Sequence, residues 1–305
     1  MRIIITGASG LLGANLAVDL GARHDVLAIF NQHPLHSSAF RAARCDLLSG
    51  SDFADLASAE RPDLIVHCAA LTDVERCERE PELAKQLNVE ATRAVAQAAA
   101  AVGARLVHIS TDGLFDGVRG NYREDDTPTP VNVYARTKLE AESVALEAGA
   151  DTLVVRTNIY GWNAQPKLSL AEWVLARYET GEPVPGFTDA VFSPTLVNDL
   201  SVLLEQLAVG AFSGVINVAG ADRLSKFDFA RRVLSAFSLD PERVVPSTLA
   251  AAEFGATRPH DLSLDTSLAR SIGLPIPTAD AGIERFVGLQ ASGYADALKA
   301  LTKEE

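Results

Sequence analysis

Arg2-Ile3-Ile4-Ile5-Thr6-Gly7-Ala8-Ser9-Gly10-Leu11-Leu12-Gly13 carries an apolar run into three glycines, with two residues between each and the next. The apolar run suits a strand buried on both faces. Asn15-Leu16-Ala17-Val18-Asp19-Leu20 then continues as a helical pattern. Strand, glycine-rich turn and helix, in that order, form the setting in which glycines hold a dinucleotide. Gly7 permits a tight turn, Gly10 lets backbone amides approach a pyrophosphate, and Gly13 allows helix and strand to pack closely. The phosphates would lie at the helix N-terminus, with Ser9, Leu11 and Leu12 among the contacts. A purely structural turn is the alternative.

Outward from this segment, residues 1 to about 160 alternate short apolar strands with Ala-rich amphipathic helices, which predicts a doubly wound parallel sheet. Strands are expected to begin near Ile3, Val26, Leu64, Leu106 and Leu153, and one helix to cover Leu83 to Val102 as core packing. From Trp162 the chain turns to Pro- and Gly-punctuated segments such as Gly181-Glu182-Pro183-Val184-Pro185-Gly186. A return to the sheet is expected at Asn198 to Ala219, with a helix ahead of the strand Gly214 to Val218. Helices are expected near Lys226 to Phe237 and Thr278 to Gly288, and Lys303-Glu304-Glu305 reads as a frayed end. The resulting division assigns 1–161 plus 191–219 to the dinucleotide and 162–190 plus 220–305 to a smaller lobe.

Tyr134 and Lys138 lie one helical turn apart in Val133-Tyr134-Ala135-Arg136-Thr137-Lys138-Leu139, downstream of a strand-like run ending in Ser110-Thr111-Asp112. A phenol with its usual pKa near ~10 is a poor acid at neutral pH. A lysine at i+4 on the same helix face is expected to stabilise the phenolate and lower that pKa. With a threonine hydroxyl nearby, the trio can protonate a carbonyl as hydride arrives, or remove the proton in reverse. Taken alone, the spacing also fits an ordinary exposed pair on an amphipathic helix.

The glycine spacing, the Tyr-x-x-x-Lys helix and the Ser-Thr-Asp strand end together resemble the extended short-chain dehydrogenase/reductase family. Ser110 to Gly117, Tyr134 to Glu142, and Arg258-Pro259 followed by Leu264-Asp265 resemble its dTDP-4-dehydrorhamnose reductase branch. That branch also contains the beta subunit of methionine adenosyltransferase, a binding protein. The resemblance covers almost the whole chain. It implies a Rossmann-type doubly wound α/β fold with a smaller C-terminal substrate lobe, and NAD(P)H-dependent reduction of a nucleotide-linked 4-keto-sugar. It further implies that Asp46 and Leu47, after the third strand, meet the adenine. Ala69, Ala70 and Thr72 would follow the fourth strand against the cofactor. Asn88, matching the family's structural asparagine, would be a cofactor contact on its helix, while Ser110, Thr157, Asn158 and Ile159 would reach the nicotinamide end. Thr111, Tyr134 and Lys138 would be catalytic, and Asp112 a structural or substrate-side group. Two positions depart from the branch. Gly113 stands where the reductases usually place a substrate-contacting Tyr, and Asn15 where some place an acidic metal ligand. No metal is expected. The alternatives are a regulatory NADP-binding subunit or an NAD-retaining sugar-nucleotide epimerase or dehydratase.

The end of the second strand, Leu27-Ala28-Ile29-Phe30-Asn31-Gln32-His33, lacks the Asp or Glu that would hold both ribose hydroxyls and favour NAD. Asn31 and His33 are candidate ribose contacts, with His33 and Arg41 able to approach a 2′-phosphate. NADP(H) is therefore favoured, with NAD(H) as the alternative. Arg258 is the candidate diphosphate ligand, because a guanidinium meets phosphate oxygens bidentately. Trp162 is a candidate stacking group and Lys167 a further substrate contact. A formal net charge of -13 argues against nucleic-acid or anionic-membrane partners. Cys45, Cys68 and Cys77 form no paired motif and read as reduced thiols. No apolar stretch reaches the roughly 20 residues of a spanning helix, and a strand from residue 3 leaves no room for a signal peptide. The expected setting is cytoplasmic, with a homodimer possible.

Overall fold

The computed structural model describes residues 1–303; Glu304 and Glu305 of the expected frayed end lie outside the described residues. The chain opens with β1 (Arg2–Thr6), α1 (Leu11–Gly21), β2 (Asp25–Phe30), β3 (Arg41–Arg44), α2 (Asp52–Glu60) and β4 (Leu64–His67). It continues through α3 (Val74–Arg79), α4 (Pro81–Lys85), α5 (Ala91–Val102), β5 (Arg105–Ile109), α6 (Val133–Glu147) and β6 (Thr152–Arg156). These strands join Gly214–Asn217 in a seven-stranded sheet ordered Gly214–Asn217, β6, β5, β4, β1, β2, β3. Every neighbouring pair is parallel. The strand order reverses at β1, so the crevice beyond the C-terminal ends of β1 and β4 is where such a sheet takes a ligand.

The apolar run of β1 buries both faces, as its composition requires. Ile3 and Ile5 pack with Leu12, Leu16 and Leu20 of α1, whereas Ile4 faces Leu27, Ile65 and Leu106 and the Ala-rich side of α5. Strand side chains alternate between faces, so three consecutive isoleucines need cover on both. The first core continues without a break into the C-terminal segments, through Val184, Phe229 and Phe286. There the strands Val184–Phe187 and Val244–Ser247 pair in parallel. A buried ion pair ties β6 to α6, with Arg156 donating to Glu142 at 3.0 and 2.7 Å.

The helix expected over Leu83 to Val102 is not regular. A π turn at Gln86–Glu90 separates α4 from α5. Its buried residue Asn88 accepts from the Leu71 N–H at 2.7 Å and donates to Thr137 Oγ1 at 2.9 Å. An extra residue in the turn brings that amide inward to brace the loop after β4 against α6.

Two glycines fix how α1 meets β1. Gly7 has φ +63°, and a Cβ there would meet the Ala69 backbone at 2.6 Å. At Gly13 a Cβ would press on the Gly7 carbonyl oxygen and lie 2.7 Å from Ala8 Cα. Backbone cannot yield as a side chain does. Gly13→Ala is expected to cost about 1–3 kcal/mol by overpacking, read as a lower melting temperature. Gly10→Ala, whose nearest atom would be Gly7 O at 3.3 Å, should be the milder change in the same melting experiment.

Candidate active site

A cleft of about 1030 Å³ opens at the C-terminal ends of the sheet strands. Gly7, Ser9, Gly10, Leu11, Leu12 and Gly13 line one end, and Asn31, His33, Asp46 and Leu47 its β2–β3 edge. Ala69, Ala70 and Thr72 form the wall after β4. Ser110, Thr111, Asp112, Tyr134, Lys138, Thr157, Asn158 and Ile159 surround the other end, with Lys167 on the lobe side. Helix α1 has Gly10 as its N-cap residue, with no side-chain cap and no acidic residue in its first turn. Its first-turn N–H groups therefore suit an anion, such as a phosphate.

Tyr134 and Lys138 belong to the first turns of α6, which Asn132 caps by accepting from Ala135 N–H at 2.9 Å. Lys138 is 2% exposed and donates to the Ile109 carbonyl at 2.7 Å. Burial pulls its ammonium down to about 8, with Glu142 acting in the opposite sense. Burial pushes the Tyr134 phenol up to about 12, opposed by a hydrogen bond with Thr111. This differs from the expectation that the i+4 lysine lowers the tyrosine: burial first, then the neighbouring Asp112 and Cys77, raise it. Thr111 Oγ1 accepts from Gly113 N–H and donates to Asp112 Oδ1, both at 3.1 Å. Asn158 Nδ2 donates to Asp112 Oδ2 at 2.6 Å. Two cleft hydroxyls, Ser110 Oγ and Thr157 Oγ1, are buried without a partner. Across the opening, Lys167 Nζ donates to Thr72 Oγ1 at 3.1 Å.

Four expected positions fall elsewhere. The Asn88 amide is consumed by the Leu71 backbone and Thr137, so it braces the cleft wall and does not line it. The Trp162 indole stacks on Phe286 at 4.2 Å and donates to the Phe286 carbonyl at 3.0 Å. It is a core residue. Arg258 lies outside the cleft lining, held by Glu75 at 2.8 Å and lying over Phe254. Arg41 pairs with Glu60 at 3.0 and 2.8 Å at the far end of β3, away from the expected 2′-phosphate. Arg44, at the near end of that strand, donates to the Asn31 carbonyl at 3.1 Å. Sequence reasoning passes over it because only the strand register distinguishes the two arginines. It also passes over Lys226, whose ammonium burial pulls down, opposed by Asp112. No motif marks that residue.

The sequence model of the RmlD substrate binding domain matches residues 1–290. The chain belongs to that family. The dTDP-4-dehydrorhamnose reductase of Mycolicibacterium smegmatis is 35% identical over 278 residues, which covers 90% of this chain and 80% of the relative. Methionine adenosyltransferase 2 subunit beta of Pongo abelii is 32% identical over 285 residues, covering 90% of this chain and 83% of its own. The structure of dTDP-4-dehydrorhamnose reductase from Bacillus anthracis in complex with NADP superposes with a TM-score of 0.82 at 30% identity, covering 94% of this chain and 98% of that one.

Within the family fold, Asp112 stores stress. Burial pushes its carboxyl up to about 6, against the hydrogen bonds from Asn158 and Thr111. A raised acid favours folding most below its unfolded value near ~3.9, and that contribution is lost as pH rises through about 6. Asp112→Asn should therefore melt above the wild type at pH ~8, with the margin closing by pH ~4. Melting curves at the two pH values check this.

Proposed function

We propose that the chain is an NADPH-dependent reductase converting the ketone of a nucleotide-linked 4-keto-sugar to an alcohol. The observation that carries this reading is one cleft that joins Tyr134, Lys138 and Thr111 to an uncapped helix N-terminus. The unpartnered Ser110 and Thr157 hydroxyls in that cleft suit a ligand rich in amide and hydroxyl groups. The reductase names of the Mycolicibacterium and Bacillus relatives, the latter with NADP, support the substrate class and cofactor. NADPH, when bound, supplies the hydride. Tyr134 would give its phenolic proton to the carbonyl oxygen, Thr111 would turn its hydroxyl hydrogen from Asp112 Oδ1 to that oxygen, and Lys138 would meet the cofactor ribose. Asp112 and Lys167 bound the sugar side. Asn31 and His33 stand where an acidic residue would select NAD, so NADPH is favoured and NADH is the alternative.

In this reading, residues 1–161 with 191–219 hold the cofactor and 162–190 with 220–305 hold the sugar nucleotide. We assign the enzyme to the cytoplasm, without nucleic-acid partners; the net charge of -13 and three free cysteines suit that setting. Among the described residues no helix is long and apolar enough to cross a membrane. A second reading, a regulatory NADP-binding subunit, is favoured by the similarity to methionine adenosyltransferase 2 subunit beta and by Gly113. Capture of a partner enzyme without keto-sugar turnover distinguishes it.

Tyr134→Phe is expected to cut turnover by at least about a hundredfold while NADPH affinity stays close to wild type. A variant that keeps its rate contradicts the assignment. Tyr134, held up to about 12, stays protonated over the working range, so the alkaline limit is set by Lys138 near 8. Reduction should run below that value and fall as pH rises through it, as a pH–rate profile will show.

A further inference from the structure

The active-site reading uses Lys138 but leaves its closest buried neighbour without a role. His108 on β5 is fully buried, and its Nε2 lies 3.3 Å from Lys138 Nζ. An ammonium has three hydrogens and no lone pair. The Ile109 carbonyl takes one of those hydrogens at 2.7 Å, and Nε2 is placed to take a second. That geometry requires a neutral imidazole with its hydrogen on Nδ1, and Nδ1 has no partner. A second cation so close to Lys138 would be repelled.

The surroundings enforce the same state. Across the sheet on β4, the His67 ring lies 5.4 Å from His108. Thr92 Oγ1 gives its hydrogen to the Asn88 carbonyl at 2.6 Å, so at 3.0 Å it can only accept from His67 Nε2. His67 Nδ1 then accepts from Thr6 Oγ1 at 2.7 Å. Burial pulls the His67 imidazole down to about 3, so the ring is neutral and adds no charge. The other ionisable groups acting on Lys138 are Glu142 on its own helix and Cys68 after β4. Glu142 is committed to Arg156, and burial holds the Cys68 thiol up to about 12, so neither replaces His108 as an acceptor.

We propose that His108 is a positioning residue for Lys138: its neutral Nε2 and the Ile109 carbonyl hold two ammonium hydrogens, leaving the third for the cleft. The inference rests on the reading that Lys138 meets the cofactor ribose. His108→Leu removes the acceptor, while His108→Gln returns one on a side chain of similar reach. NADPH affinity of the wild type, measured by nicotinamide fluorescence, should weaken as pH rises through about 8. The Leu variant should shift that limb down by about one pH unit, a roughly fivefold weaker Kd at the wild-type midpoint that approaches about tenfold above it. The Gln variant should follow the wild type. A Leu variant that overlays the wild-type curve overturns the proposal. Should that variant fail to fold, long-range ¹H–¹⁵N spectra of the wild-type imidazoles decide: an Nδ1–H tautomer of His108 supports the proposal, and an Nε2–H tautomer or imidazolium overturns it. Because these readouts are binding and tautomer, they stand apart from turnover. Loss of rate in Tyr134→Phe with no pH shift in His108→Leu would sink this inference alone.

Discussion

The contact between Gly13 and the Gly7–Ala8 backbone is the constraint from which the cleft follows. It brings the N-terminus of α1 against the end of β1, where the sheet order reverses. Without side chains at that crossing, helix and strand approach more closely than any other residue allows, and Gly7 turns the chain at φ +63°. The uncapped first turn of α1 then faces the same space as the ends of β4 and β5. The uncapped helix turn and the Tyr134–Lys138 pair share one cleft because a single backbone approach aligns both.

The opposite end of the cleft depends on dry electrostatics. Lys138, His108 and Asp112 are at most 3% exposed, and each carries or avoids charge according to its immediate partners. Burial lowers the lysine and raises Tyr134 and Asp112, so the groups are kept away from their usual values by the site itself. The protein bears that cost through neighbouring structure: the Arg156–Glu142 pair anchors α6, and the π turn at Asn88 braces it from the other side. Both supports lie outside the cleft lining yet hold the helix that carries Tyr134 and Lys138.

Much of this is legible in the sequence because it is local. The β1–turn–α1 segment and the Tyr134–Lys138 spacing each declare themselves within about one or two turns of chain, and the structure brings them to one cleft. What the sequence leaves hidden depends on distant partners. Trp162 looks like a stacking surface until Phe286, 124 residues away, is placed against it. Arg258 looks like a phosphate ligand until Glu75, 183 residues away, holds it. Arg41 and Arg44 differ only in register along β3, and His108 and Lys226 belong to no motif. Side-chain type states what a group can do; its partners state what it does.

The most direct test of the central claim is nicotinamide absorbance after mixing the protein and NADPH with a panel of nucleotide-linked 4-keto-sugars. The account predicts oxidation of NADPH that depends on one of these keto-sugars. Firm NADPH binding with no oxidation across the panel would contradict it and favour a binding subunit.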